Sequence, residues 1–358
     1  MNDTLRKTIE ERVALFKRYY AMENERPLLG FFHGSEYPLH RYPASRTLPE
    51  ERPLTPEDFI VEPYLDDCDR LFAQHEACGG DFIWAGSAFW GIPWLEAALG
   101  CDIIASHETG SIHSKRPVGF SGPESLPAFD LNGPWQRKMA EFLDRMAERS
   151  GGRWPLATTR MRGISDLLSA LYGGDAMIFA MLEKPDEVKA VAAKLTEFFI
   201  AFGRLQLAHI PDFHGGIGSF YYSMWAPKGT IWHQEDAVAL LSPELYAEFI
   251  EPCDRKIADA FEGCIIHQHP TGFYPVDAYL DMGMTALELH IDEGGPSAEH
   301  LFEVHKKILA KKPLLIWGDI PEQDLDWIFS NLPTQGLAVN TVVTSPDQAQ
   351  ALWNRYMK

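Results

Sequence analysis

Residues 264–291 read CIIHQHPTGFYPVDAYLDMGMTALELHI, and their alternation sets the architecture. Cys264 to His267 suit a buried strand, and ALELHI (286–291) reads as a second. Between them, YPVDAYLDMG (274–283) has helical spacing and stops at a glycine. Two apolar strands joined by a helix form a βαβ unit, which requires a parallel sheet covered on both faces. Downstream the rhythm continues: helix AEHLFEVHKKILAK, strand PLLIWGDI (313–320), helix PEQDLDWIFSNL, strand GLAVNTVV (336–343) and helix SPDQAQALWNRYM.

The same rhythm runs upstream. RPLLGFFHG (26–34), DFIWAG (81–86), PLATTRM (155–161) and FHGGIGSFYY (213–222) read as strands. ISDLLSALYG, PDEVKAVAAKLTEFFIAFGRLQL and SPELYAEFIEPCDRKIADAF (242–261) read as helices, the last with Ser242 as N-cap and Pro243 at the first helical position. CDIIAS (101–106) is an extra strand, and 107–133 a surface excursion rich in Gly, Pro and Ser. Residues 3–22 read as an amphipathic helix capped by Asp3 or Thr4. The count is eight strands, near 28, 82, 157, 217, 265, 288, 316 and 339. The spacing predicts an α/β fold, a single (β/α)8 TIM barrel over residues 1–358, with an N-terminal helix and long loops at the strand C-terminal face. An open dinucleotide-binding sheet is disfavoured: no GxGxxG follows the first strand, and GGIGSF (215–220) lies inside a strand.

Bulk composition narrows the function. With 46% hydrophobic and 23% charged residues, the chain can fill a large core. A formal net charge of −19 repels phosphate backbones and anionic lipid, so nucleic acid and membrane are poor partners. No run of apolar residues is long enough for a transmembrane helix or a signal peptide, and the five cysteines show no CxxC. Together these lead us to expect a cytoplasmic protein.

Barrels of this class place function at the C-terminal ends of the strands. The first strand ends in His33, the third in Arg160 and Arg162, and the fourth in Tyr221 and Tyr222, followed by Trp225, His233, Gln234, Glu235 and Asp236. The fifth ends in His267 and His269, the sixth in Glu288, His290 and Asp292, and the seventh in Trp317 and Asp319. Side chains two apart on a strand share a face, so His267 and His269 can both look into the mouth and begin a metal site. Glu288, His290 and Asp319 are within reach of completing it. A packed, hydrogen-bonded histidine beside a substrate-binding one explains the pair equally well. Arg160 and Arg162 suit a substrate carboxylate or phosphate, or pair with acids such as Asp166 or Asp236. His233, Glu235 and Asp236 are proton-transfer candidates, although either carboxylate could instead cap backbone donors. Aromatics at the second and fourth strand ends suggest a pocket for a planar or sugar-like ligand.

These residues resemble the uroporphyrinogen decarboxylase superfamily, which includes zinc-dependent methyltransferases acting with corrinoid proteins. LLSALYGGDAMIFAMLEKPDEVKAV is similar to the family's helix pair, and EDAVALLSPELYAEFIEPCDRKIADAF to its LSP helix. CIIHQHPTG stands where the family has a strand ending in His, and PLLIWGDI where it has a Gly-Asn strand. The resemblance implies a barrel with its site at the strand C-termini. Departures matter as well. After the first strand there is only Arg41 in place of an arginine-rich segment, and AGSAFWG has no acid where the decarboxylases carry an essential Asp. The methyltransferases' His-x-Cys is here His267-x-His269, and no Cys follows Cys264. A thiolate zinc site is thereby excluded, while a His/carboxylate site, harder and better suited to oxygen groups, is not.

The expectation is therefore a divergent, methyltransferase-like member of that superfamily. Its catalytic candidates are His267, Asp236 and Glu235. Its substrate-binding candidates are His33, Arg160, Arg162, Tyr221, Tyr222, Trp225, His233, Trp317 and Asp319. A metal, zinc being the candidate, would rest on His267, His269, Glu288 and His290. The partners are a small-molecule substrate and, by resemblance, a corrinoid protein; a homodimer stays open. Two rivals are a metal-free decarboxylase or lyase acting on a carboxylated substrate, and a non-catalytic binding partner of a corrinoid protein.

Overall fold

The computed structural model describes residues 5–357. Ten strands form: β1 (Leu28–His33), β2 (Asp102–Ser106), β3 (Ser111–Lys115), β4 (Gly216–Ser219), β5 (Met224–Pro227), β6 (Thr230–Gln234), β7 (Gly263–Gln268), β8 (Ala286–Ile291), β9 (Leu314–Gly318) and β10 (Leu337–Val343). Six of them make one all-parallel sheet in the order β1-β10-β9-β8-β7-β6. From β6 onward each strand is followed by helix, ending with Pro346–Tyr356 after β10. Parallel neighbours need such crossovers, and burial on both faces explains the apolar runs within these strands, whose polar residues cluster towards their C-terminal ends.

The first half of the chain joins this sheet less regularly. Asp81 N–H donates to Leu29 O at 2.9 Å, Gly86 bridges Leu156, and Arg162 bridges Gln234, both bridges being parallel. The expected strands near 82 and 157 are thus single bridges, lying along β1 and β6. One cause is close packing: a Cβ on Gly30 would lie 2.3 Å from the Phe82 ring, so the strand and the segment beside it touch through that glycine.

The expected strand near 217 does not enter the sheet. Gly216–Ser219 pairs antiparallel with Met224–Pro227, and β6 takes the place beside β7. Tyr221 and Ser223 turn the chain at φ 67° and 54°, the left-handed region that side chains seldom adopt. This hairpin tip reaches the strands: Asn340 on β10 donates to Tyr222 O at 2.9 Å.

Helix ends follow their local chemistry. The N-terminal helix spans Ile9–Tyr20 and is capped by Thr8, whose hydroxyl accepts from Glu11 N–H while Glu11 accepts from Thr8 N–H. The expected caps Asp3 and Thr4 lie outside the described residues. The helix expected over 242–261 starts at Ser242 as read, then widens to a π-turn over Tyr246–Ile250 just before Pro252, which has no N–H to donate. β2 pairs with β3, so part of the expected surface excursion is a hairpin. Among the described residues no single helix is long and apolar enough to cross a membrane.

Candidate metal centre and its cavity

β7 and β8 build the centre. Their register sets His267 opposite Glu288, and His290 follows two residues later on the same face. His269 stands just past the end of β7. Its ring lies 4.5 Å from that of His267 and 4.7 Å from that of His290.

Each histidine of the pair is held from behind by a carboxylate. His267 Nδ1 makes a short contact with Glu288 Oε2, which also accepts from the Tyr222 hydroxyl at 3.0 Å. His269 Nδ1 lies 2.7 Å from Asp292 Oδ1. Burial alone would raise the Glu288 pKa, but the His267 and His290 rings overcome that and bring it to about 2. Asp292 is lowered as well, because the hydrogen bond and charge of His269 outweigh burial. Both acids are therefore ionised and accept only, so each Nδ1 carries the proton. The remaining nitrogens, His267 Nε2 and His269 Nε2, face each other at 2.9 Å.

Two neutral imidazoles cannot share that geometry, because two lone pairs would meet. A cation between or on them resolves it. In the ring pair itself the cation is a proton. Burial disfavours it on His269, yet Asp292, Asp236 and Glu288 raise the pKa to about 9. A divalent metal resolves it in another way. Asp236 Oδ1 lies 3.8 Å from His267 Nε2 and 4.0 Å from His269 Nε2, and is buried with no hydrogen-bond partner. Asp236, His267 and His269 thus offer two ring nitrogens that no carboxylate holds and one orphaned oxygen, all within 4.8 Å. Carboxylates fixing the far nitrogens of metal-binding histidines are the usual supporting arrangement. His267/Glu288/His290 and His269/His290/Asp292 also fall within that distance and overlap this set.

The centre opens into a cavity of about 820 Å³. Of the residues singled out in the sequence, Arg160, Tyr221, Asp236, His267, His269, His290 and Asp319 line it. Tyr222 and Glu288 lie beneath it, holding His267. Trp317 is fully buried, its ring 4.5 Å from that of Tyr221 and 4.7 Å from that of His290. Arg162 lies beside the cavity rather than in it, paired with Glu96 at 2.7 Å and Asp166 at 3.5 Å.

Four others stand elsewhere. His33 sits by a separate small pocket and faces Thr344 O at 3.2 Å. Trp225 donates to Phe213 O and lies under Lys17 of the N-terminal helix. His233 and Glu235 point behind the sheet. Glu235 accepts from Ile164 N–H at 2.6 Å and Ser165 N–H at 2.8 Å, capping helix Ile164–Tyr172. Burial would raise its pKa, but His233 and Ser165 overcome this and lower it. Asp254, close by, is raised well above the usual carboxylate range by burial and by the Glu235 charge. Glu235 is an anionic anchor for a helix N-terminus.

Two acids of the cavity wall, Asp292 and Glu36, were not in the candidate catalytic, substrate-binding or metal sets. Asp292, read from the sequence as the end of the sixth strand but given no role there, orients His269. Glu36, in the loop after β1, carries no periodic signal. Burial with Asp319 and Asp292 nearby raises its pKa to about 7, with only Arg41 opposing.

Comparison with known proteins gives no family model that matches this chain and no matching curated protein. Among solved structures it is similar to a methyltransferase from Methanosarcina mazei, with a TM-score of 0.62 and 14% sequence identity. The match covers 97% of this chain and 98% of that chain. At this identity the likeness shows the fold, and the chain shares that fold from end to end with a methyltransferase.

Proposed function

We propose that this chain is a metal-dependent, methyltransferase-like enzyme of the uroporphyrinogen decarboxylase superfamily, acting on a small molecule in the cavity beside β7 and β8. In this reading the whole chain is one unit, its sheet closing through segments 81–86 and 155–162 into a (β/α)8 barrel. The metal is held by His267, His269 and Asp236. The observation that carries it is the 2.9 Å approach of two ring nitrogens whose partners on the far side are ionised acids, next to a carboxylate oxygen with no partner.

When bound, a divalent ion such as zinc would supply Lewis-acid polarisation of a substrate oxygen. The donors are nitrogen and oxygen, and all five cysteines are buried elsewhere, so an oxygen-bearing substrate suits the site better than a thiol. The protein's own groups do the rest. Glu288 and Tyr222 fix the His267 ring, and Asp292 fixes His269. Arg160 orients an anionic group, and Trp90, Tyr221 and Trp232 exclude water. A methylated corrinoid protein is the methyl carrier this reading calls for.

Metal analysis of protein purified without a histidine tag tests the centre. The expected result is one tightly held divalent ion per chain. Asp292→Asn should weaken its affinity about 10–100-fold by loosening His269. No stoichiometric metal, together with activity that survives chelators, would favour the metal-free decarboxylase or lyase, in which the protonated His269–His267 pair carries the proton.

A further inference from the structure

The cavity carries opposite, uncompensated charges on two sides. On the side of segment 155–162, the buried Nε of Arg160 has no hydrogen-bond partner, and its guanidinium lies 6.0 Å from the Trp90 ring centre. Trp232, 2% exposed, lines the same cavity. Buried donors without acceptors are rare in proteins and point to an anionic oxygen that arrives with a ligand. Arg162, by contrast, is already neutralised by Glu96 and Asp166.

The loops after β1 and β9 supply the opposite sign. Glu36 and Asp319 line the cavity there. Of the other acids in its wall, Asp292 holds His269, Asp324 accepts from Ala298 N–H at 3.0 Å, Asp236 belongs to the candidate metal centre and Glu293 is exposed to solvent. Among the described residues no lysine or arginine forms an ion pair with Glu36 or Asp319. Arg41, the cation that bears most on Glu36, donates to His33 O and stacks on Phe32. Between the two sides stand the rings of Trp90 and Tyr221, 5.4 Å apart and edge to face. Carboxylates without counter-ions beside aromatic faces are the surroundings an ammonium group prefers.

We propose that the substrate is zwitterionic, with a carboxylate bound by Arg160 and an ammonium group bound by Glu36 and Asp319 against the Tyr221 and Trp90 rings. This rests on the reading of the cavity as the substrate site, and it does not depend on the metal. It also separates the two arginines, since only Arg160 meets substrate.

The test uses matched pairs of probes on the full chain at pH 8, where Glu36 is mostly ionised. Each pair is an ω-trimethylammonio carboxylate of two to six carbons and its isostere with an uncharged tert-butyl group in place of the trimethylammonium. Binding is followed by calorimetry, with metal content measured in the same samples. At least one ammonium member should bind about tenfold more tightly than its isostere. Glu36→Gln combined with Asp319→Asn should bring that ratio to about one, and Arg160→Met should weaken both members of a pair together. Equal affinity within every pair, or no binding by any member, overturns the proposal, and the wild-type comparison requires no variant to fold. A retained ratio in metal-free protein would sink the metal centre and leave the zwitterion standing; bound metal with no ratio would do the reverse.

Discussion

Replacing Glu235 by glutamine tests whether this acid anchors a helix or moves protons. The side chain keeps its size and loses its charge and one acceptor. In the native chain its two oxygens receive Ile164 N–H, Ser165 N–H, the Ser165 hydroxyl and His233 Nε2. A glutamine amide can serve only one side of that set, so at least one buried donor meets an NH2 group instead. An unsatisfied buried donor costs about 1–3 kcal/mol. Removing the negative charge from a helix N-terminus adds about 0.3–1 kcal/mol, and up to about 2 when buried. The expected loss is thus about 1–5 kcal/mol, a large share of the stability of a typical domain at its upper end. Urea denaturation followed by tryptophan fluorescence should show a lower midpoint at unchanged slope. Metal content and ligand affinity should stay as in the wild type, because the side chain faces away from the cavity. A variant of normal stability that has lost activity would refute the anchor reasoning and return Glu235 to the catalytic group.

Two further outcomes follow from the packing and the charges. Glu36 titrates near 7, above its ordinary value, so its contribution to stability is present below about 4.5 and lost as pH rises through about 7. Glu36→Gln should therefore melt about 1–3 °C above the wild type at pH 8 and level with it near pH 4, the size reduced by the group's partial exposure; equal melting at both pH values would remove the charge crowding inferred here. Gly30→Ala should cost about 1–3 kcal/mol, since its Cβ would enter the Phe82 ring at 2.3 Å, and an unchanged urea midpoint would show that segment 81–86 yields freely.

How much of this was legible in the sequence differs by region. β7 to β10 and β1 were readable because each opens on or is framed by apolar residues, with its polar groups few and towards the C-terminal end. β6 was hidden: TIWHQ has only two apolar residues in a row, and the glycine-rich stretch before it looked more like a strand. The chain there turns at Tyr221 and Ser223, and nothing in their residue types announces a left-handed backbone. The His267/His269 pair was legible because a two-residue spacing fixes the face. The separate fates of Glu235 and Asp236 were not, since the strand whose alternation they continue was not read as one. Glu36 could not be read from sequence because its place depends on how a loop after β1 folds over the mouth.

The stretch 232–236 has a consequence for how this protein can change. Trp232, Gln234 and Asp236 face the cavity, whereas His233 and Glu235 hold the layer of helices behind the sheet. Two jobs are interleaved one residue apart on a single piece of chain. Inserting or deleting one residue would exchange the two sets, putting the anchor carboxylate into the cavity and the indole of Trp232 into the helix layer. Substitutions at alternate positions should therefore sort into two kinds, those that alter what the protein binds and those that alter whether it folds. The segment can drift in identity but not in length, which makes it a poor place for loop grafting and a good place for redesigning specificity by point changes.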